Sequence, residues 1–293
     1  MSKILIVVDA ADKKQIALTR GIELAQVMGA DIEAVAFTHE YLKAASVEPA
    51  SQTKIKDYLI KDRSDWLKSE LEKFDCSGVK ITRKVVWSKQ LHQWINKRCQ
   101  QQDYLTVVKT GHRSDTFYHT STDWHLLREC PAPVLLVAEK KWRKTRPILA
   151  ALDLSSRKKS KQKLNQLVLQ TAAHYANQFN RELHVIHVLH ISTVLQDLDL
   201  IDRKALVAER KADLSPAIAK ICAEYGLGKQ QIHILPGEIH KVIPSVADKI
   251  KADLVVMGIV GHLSLTAHLL GNMAEKVLTH LRTDVLALKP AIK

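Results

Sequence analysis

The chain has few aromatic residues, 5% of its 293 positions, so its core must be built from Val, Leu, Ile and Ala. No apolar run approaches the roughly 18 residues that a membrane-spanning helix requires. No signal-peptide pattern precedes the first strand-like stretch, because Met1-Ser2-Lys3 runs straight into it. The 4 cysteines, Cys76, Cys99, Cys130 and Cys222, have neither metal nor redox spacing. A reducing, cytoplasmic setting is therefore expected. Neither the dinucleotide fingerprint GxGxxG nor the P-loop GxxxxGK[ST] occurs, and no GxSxG elbow is present. His119, His125, His184, His187, His190 and His268 show no HxxxH or HExxH spacing, so no metal site is expected.

Charge is abundant and biased. The formal net charge is +13. Residues 1–140 hold 21 Lys and Arg against 18 Asp and Glu, and residues 141–293 hold 23 against 13. Such an excess favours anionic partners but says nothing about fold. A solvated lysine-rich surface accounts for it. Two clusters keep an anionic partner open: Lys140, Lys141, Arg143, Lys144 and Arg146, then Arg157, Lys158, Lys159, Lys161 and Lys163. No nucleic-acid motif accompanies them and aromatic interleaving is sparse, so nucleic acid is not the expected partner.

The sequence is written twice. Lys3-Ile-Leu-Ile-Val-Val-Asp9 resembles Pro147-Ile-Leu-Ala-Ala-Leu-Asp153, a short apolar strand ending in Asp. Helical and strand patterns then alternate in the same order in both halves, closing on strands expected at 133–138 and 284–288. A repeat this long is a duplicated domain, placed at 1–140 and 141–293. Strands alternating with helices predict parallel sheets covered on both faces, and apolar strands agree with burial on both sides. Ligands of such sheets sit beyond the carboxyl ends of the strands, at the point where strand order reverses.

The stretch 253–281 carries the clearest functional signal. An apolar run ends at Gly258, Gly261-His262 follows, and Gly271-Asn272 opens an amphipathic pattern. Glycine loops permit close backbone approach, and a helix start offers unpaired N–H groups to an anion. In the first half Gly111-His112 falls opposite Gly261-His262, which sets Val108 against Gly258 and Ser121-Thr122 against Gly271-Asn272. The first copy then reads as degenerate, since a Cβ at Val108 narrows the approach. Asp9 is kept, but an Asp at a strand end commonly caps a turn or a helix.

On these residues both halves resemble universal stress protein domains, across essentially the whole chain. Nucleotide-binding members of that family carry a loop written G-x2-G-x9-G-[S/T], matched here by Gly258, Gly261 and Gly271, with Asn272 in place of Ser or Thr. The segment TSTDWHLLRECPAPVLLV (120–137) also matches a tandem member. The resemblance implies two tandem Rossmann-like α/β domains of the adenine nucleotide alpha hydrolase type, each a five-stranded parallel sheet of order 3-2-1-4-5. It implies ATP or a related adenine nucleotide as ligand, held by Asp153, Val188, Gly258, Gly261, His262, Gly271, Asn272 and Met273. It further implies an intramolecular pseudo-dimer of the two domains, with further homodimerisation open.

With no catalytic residues identified, the expected function is a non-enzymatic, at most weakly hydrolytic, nucleotide-binding stress protein. Its partner would be an anionic small molecule rather than a membrane. The competing reading is a carrier of an apolar or amphipathic, lipid-like ligand between the domains. It is prompted by the apolar loop after Gly261 and by the segment 188–201.

Overall fold

The computed structural model describes residues 2–42, 48–111, 121–138, 142–143, 145–189, 203–259 and 272–290. The chain separates into two compact units, Met1–Ala138 and Glu139–Lys293.

Unit 1 runs β1 (Lys3–Val8), α1 (Ile16–Met28), β2 (Asp31–Thr38), α2 (Pro49–Leu71), β3 (Ile81–Trp87), α3 (Leu91–Gln101), β4 (Thr106–Thr110), α4 (Ser121–Glu129) and β5 (Val134–Val137). All its strand pairings are parallel and give the order β3-β2-β1-β4-β5. Unit 2 repeats this with β6 (Ile148–Ala151), α5 (Lys159–Gln178), β7 (Leu183–Leu189), α6 (Arg203–Tyr225), β8 (Ile232–Pro236), α7 (Ile239–Lys249), β9 (Leu254–Gly258), α8 (Asn272–His280) and β10 (Asp284–Leu288). Its order is β8-β7-β6-β9-β10, again all parallel. Both units therefore have the expected α/β class and the 3-2-1-4-5 order.

The reason is legible in the central strands. Ile4 to Val8, Val107 and Val108 in unit 1, and Ile148 to Ala150 and Leu254 to Val256 in unit 2, are all buried. Strands buried on both faces need helices on both, which the alternating sequence supplies. Each fully buried aliphatic side chain contributes about 1.5–3 kcal/mol. The short connections need particular residues. Gly29 ends α1 in the left-handed region (φ 61), where its N–H returns to the Ala25 carbonyl and β2 can start two residues later. No helix of the described residues is long and apolar enough to cross a membrane.

The re-entry into unit 2 is pinned by a buried carboxylate. Asp253 Oδ2 accepts from the Arg143 N–H at 2.6 Å and from Arg181 Nη1 at 2.9 Å, and Oδ1 lies 3.5 Å from Arg146 Nη1. The Arg181 guanidinium lies over the Trp142 ring, 4.8 Å from its centroid. Of the basic cluster that the sequence left open to anions, Arg146 thus has its side chain turned to Asp253, while Arg143 is tied through its backbone N–H.

Candidate functional site

The site is built where β6 ends. Leu152 continues the ladder, donating its N–H to the Ile186 carbonyl at 3.0 Å. Asp153 then leaves the sheet, and Asn165 of α5 holds its backbone from both sides. The Asn165 Oδ1 accepts the Asp153 N–H at 3.0 Å, and Nδ2 donates to the Asp153 carbonyl at 2.7 Å. The carboxylate accepts from the Ser155 hydroxyl at 2.9 Å and pairs with Lys161 Nζ at 2.8 Å. Burial pushes its pKa up, but the hydrogen bonds from Lys161 and Ser155 outweigh this and hold it below the usual carboxylate range. The side chain is 41% exposed, so Asp153 is ionised and reachable.

Beside it, β7 contributes two successive residues. His187 is buried, and its Nδ1 lies 3.1 Å from the Leu152 carbonyl and 3.2 Å from the Leu154 N–H. Its Nε2 has no hydrogen-bond partner among the described residues. Burial lowers its pKa against weaker opposing contributions from Leu152 and Asp153, which keeps the ring neutral. Val188 comes next. Ile186 gives its carbonyl to Leu152 and Leu189 gives its carbonyl to Gly237. Backbone direction alternates along a strand, so Val188 faces the same side as Ile186, where β6 has already ended.

Asp153, His187 and Val188 line one cleft of ≈ 260 Å³, closed by Leu206, Val207 and Arg210 from the first turns of α6. Its apolar wall, one cation at the mouth and one carboxylate suit a ligand with a flat apolar part and a charged part. Asn165, His187 and Arg210 were not singled out from sequence. The run LHVIHVL does carry a signal for His187: residues three apart on a strand point to opposite faces. His184 accordingly faces away and lies 2.9 Å from a ring nitrogen of His233, while His187 turns to the cleft.

Of the other expected residues, Gly258 ends β9, pairing with Leu288 of β10. A Cβ there would stand 2.6 Å from Cγ and Cδ2 of Leu164 on α5. The glycine is therefore required by helix packing, a reason the sequence reading had not supplied. Asn272 and Met273 open α8, as the pattern predicted. Gly261, His262 and Gly271 lie outside the described residues, as do the apolar loop between them and residues 190–201.

Sheet register corrects the alignment of the two copies. Ile6 pairs with Val108 in β4, and the corresponding Ala150 pairs with Val256 in β9. Two residues on, Thr110 is the counterpart of Gly258, and Gly111 that of Ile259; each of the latter two donates its N–H to the last residue of the neighbouring strand. The match of Gly111-His112 to Gly261-His262, and of Val108 to Gly258, is thus two residues out. The last helices correct a second slip. Cys130 closes on Leu126 as Leu281 closes on Val277, so Ser121, not Thr122, stands where Asn272 stands. The glycine-histidine pair was a persuasive anchor, but the loops differ in length: ten residues (111–120) against thirteen (259–271).

The sequence profile of the universal stress protein family matches residues 1–138 and again 144–289. Universal stress protein E of Escherichia coli K12 is 29% identical over 294 residues, spanning 98% of this chain and 93% of its own length. The crystal structure of a universal stress protein from Pseudomonas aeruginosa superposes with a TM-score of 0.73 at 26% identity, covering 99% of this chain and 94% of its own. One from Archaeoglobus fulgidus gives 0.68 at 19% identity, covering 98% of each chain, a likeness of fold.

Proposed function

The chain belongs to the universal stress protein family as two tandem repeats, and from that premise we propose that unit 2 is its ligand-binding half, taking ATP or a related adenine nucleotide. One observation carries this reading: Asp153 and the turned-out backbone of Val188 border the same cleft, beyond the end of β6. The base would lie against Val188, Leu206 and Val207, with Val188 offering backbone groups to its edge. The ionised Asp153 would accept from a ribose hydroxyl or an exocyclic amine. Arg210 and Lys161 would supply positive charge to the phosphates, and the first N–H groups of α8, at Asn272 and Met273, would add to it. The glycines at 258, 261 and 271 and His262 complete the loop in this reading.

We further propose that the protein binds without chemistry. Asp153 is the one carboxylate among the described lining residues, and Lys161 and Ser155 already engage it. Hydrolysis would need a metal clamp and a positioned water as well. The role is then a ligand-linked one in the stress response, in which the nucleotide shifts interactions only by its differential affinity for the protein's states.

The test is calorimetric titration of the full chain with ATP and ADP. Binding is expected at one site, weakened about tenfold or more by Asp153→Ala and by Arg210→Ala, since a hydrogen bond to a charged group is worth about 1.5–3 kcal/mol. Asp9→Ala, at the equivalent place in unit 1, should leave it unchanged. Absence of any nucleotide heat, or equal losses from Asp9→Ala and Asp153→Ala, overturns the assignment.

A further inference from the structure

We propose that unit 1 carries a three-residue site for a divalent transition ion of the zinc class, formed by His92, His125 and Glu129. His92 is the second residue of α3, while His125 and Glu129 stand four apart on α4 and so share one face. One ligand atom from each lies within 4.8 Å of the other two. The His125 Nδ1 is 2.8 Å from Glu129 Oε1. Two ligands of a tetrahedral ion with bonds near 2.0–2.1 Å stand roughly 3.3 Å apart, so this pair is close to the spacing needed. The ion replaces the proton between them, and the imidazole keeps its proton on Nε2.

His92 completes the set. Its ring is stacked on that of His125, with centroids 4.2 Å apart and planes 12° from parallel. Parallel rings cannot both direct in-plane lone pairs at one ion. Closing the site therefore takes a rotation of His92 about χ2, a broad torsion with no steep barrier. All three residues are at least partly open to solvent. The donor set of two imidazoles and a carboxylate suits zinc, copper or nickel rather than magnesium or calcium, which prefer oxygen throughout. Three protein ligands leave a position for water.

A supporting contact lies behind the carboxylate. Asn96, one turn beyond His92 on α3, is buried and donates Nδ2 to Glu129 Oε2 at 3.2 Å. It orients the carboxylate with Oε1 toward the two rings, as outer contacts do in metal centres. Arg128 acts the other way: one of its Nη atoms is 3.3 Å from His125 Nδ1 and places positive charge beside the ion. Unit 2 provides a contrast. The same positions on α7 and α8 are His240, Lys276 and His280, with a lysine in place of His125. Paired-histidine spacing carries no sign of this site, because its helical pair is His-x3-Glu, completed from another helix.

The experiment is zinc titration of the full, tag-free chain against a chromophoric zinc indicator, with Co2+ absorption as a second readout. One equivalent of Zn2+ is expected, with no response to Mg2+. His92→Ala and Glu129→Gln should each weaken binding at least tenfold, and Asn96→Ala by a factor of roughly ten to a hundred. Arg128→Ala should tighten it several-fold, an effect that a purely structural role for the cluster does not produce. Circular dichroism would verify that each variant folds. Unchanged stoichiometry and affinity in both His92→Ala and Glu129→Gln overturns the proposal. So does loss of the equivalent in His184→Ala alone, which assigns the ion to the His184–His233 pair.

Discussion

Thr110 and Gly258 hold the same register position in the two units and behave in opposite ways there. The Thr110 hydroxyl donates to Asp12 Oδ2 at 2.8 Å and accepts the Ala17 N–H at 3.2 Å. Around it the loop after β1 closes on itself. Gln15 Nε2 donates to the carbonyls of Asp9 and Asp12, and Asp12 Oδ2 accepts the Ile16 N–H at the start of α1. In unit 2 the matching loop carries Asp153 toward a cleft, and Gly258 contributes no polar atom. A second contrast lies one position earlier. Lys109 of β4 and Asp123 of α4 form an ion pair of 2.8 Å, their side chains 4% and 0% exposed. Their counterparts in unit 2 are Met257 and Ala274. Unit 1 has turned its polar groups inward at this edge, whereas unit 2 carries an apolar Met257 and a Gly258 packed against Leu164 at the same positions.

The buried pair gives the largest expected effect. Asp123→Ala removes the counter-charge of a buried ammonium and should cost unit 1 about 3–5 kcal/mol. The double variant Lys109→Met with Asp123→Ala, which imports the residues of unit 2, should recover most of it. Urea unfolding followed by circular dichroism reads both. A double variant no more stable than the single one breaks the idea that the pair is a unit.

Next in size is Gly258→Val. Overpacking against Leu164 should cost roughly 1–3 kcal/mol, relieved in part by Leu164→Ala. The isosteric Thr110→Val in unit 1 adds no bulk but leaves Asp12 and Ala17 without their bonds to the hydroxyl, a loss of about 1–2 kcal/mol. Thermal melts of the two variants sharpen the comparison: only the first should respond to a smaller residue at 164.

A smaller effect concerns acid. Glu33 of β2 is buried and accepts from Arg98 at 3.0 and 2.8 Å and from the Tyr104 hydroxyl at 2.7 Å. Burial raises its pKa, but the bonds from Arg98 and Tyr104 outweigh it, leaving it below the usual glutamate value of 4.5. A depressed folded pKa means stability that is fully present above 4.5 and is lost as pH falls through the folded value. Unit 1 should therefore weaken on acidification below about pH 4.5, and Glu33→Gln should flatten that dependence at the expense of stability at neutral pH. Stability curves at pH 7 and pH 3.5 check this. An unaltered slope in the variant assigns the acid response elsewhere.

Much of this was open to reading from the residues. The two apolar runs leading to Asp9 and Asp153, and the alternation after them, predicted the repeat and the parallel sheets. The rule that ligands sit beyond strand ends pointed to the region where Asp153 lines a cleft; Val188 was implied only by the family resemblance. What stayed hidden has physical causes. Asn165 lies nearly two turns into α5, and nothing in its sequence surroundings marks it as a clamp on Asp153. Lys161 was visible only as one of several lysines, because an ion pair depends on which face of a helix start meets the strand end. The register of the first copy was misjudged because a repeated Gly-His looks like an anchor, whereas β-pairing aligns strands by their buried residues and leaves loops free to change length.

The anchorage of Trp142, Arg143 and Arg146 around Asp253 and Arg181 bears on how the chain can be divided. Trp142 lies edge-on to Phe179 and under Arg181, and the Arg143 amide reaches a carboxylate that also holds Arg181. The family match to the second repeat begins at residue 144 and its first strand only at Ile148, yet Trp142 and Arg143 are already held by side chains of the second unit. A fragment beginning at Pro147 would leave Asp253 buried with fewer donors and expose the flank of α5. The severable point of the polypeptide is therefore upstream of Trp142, and a second unit prepared alone should start there.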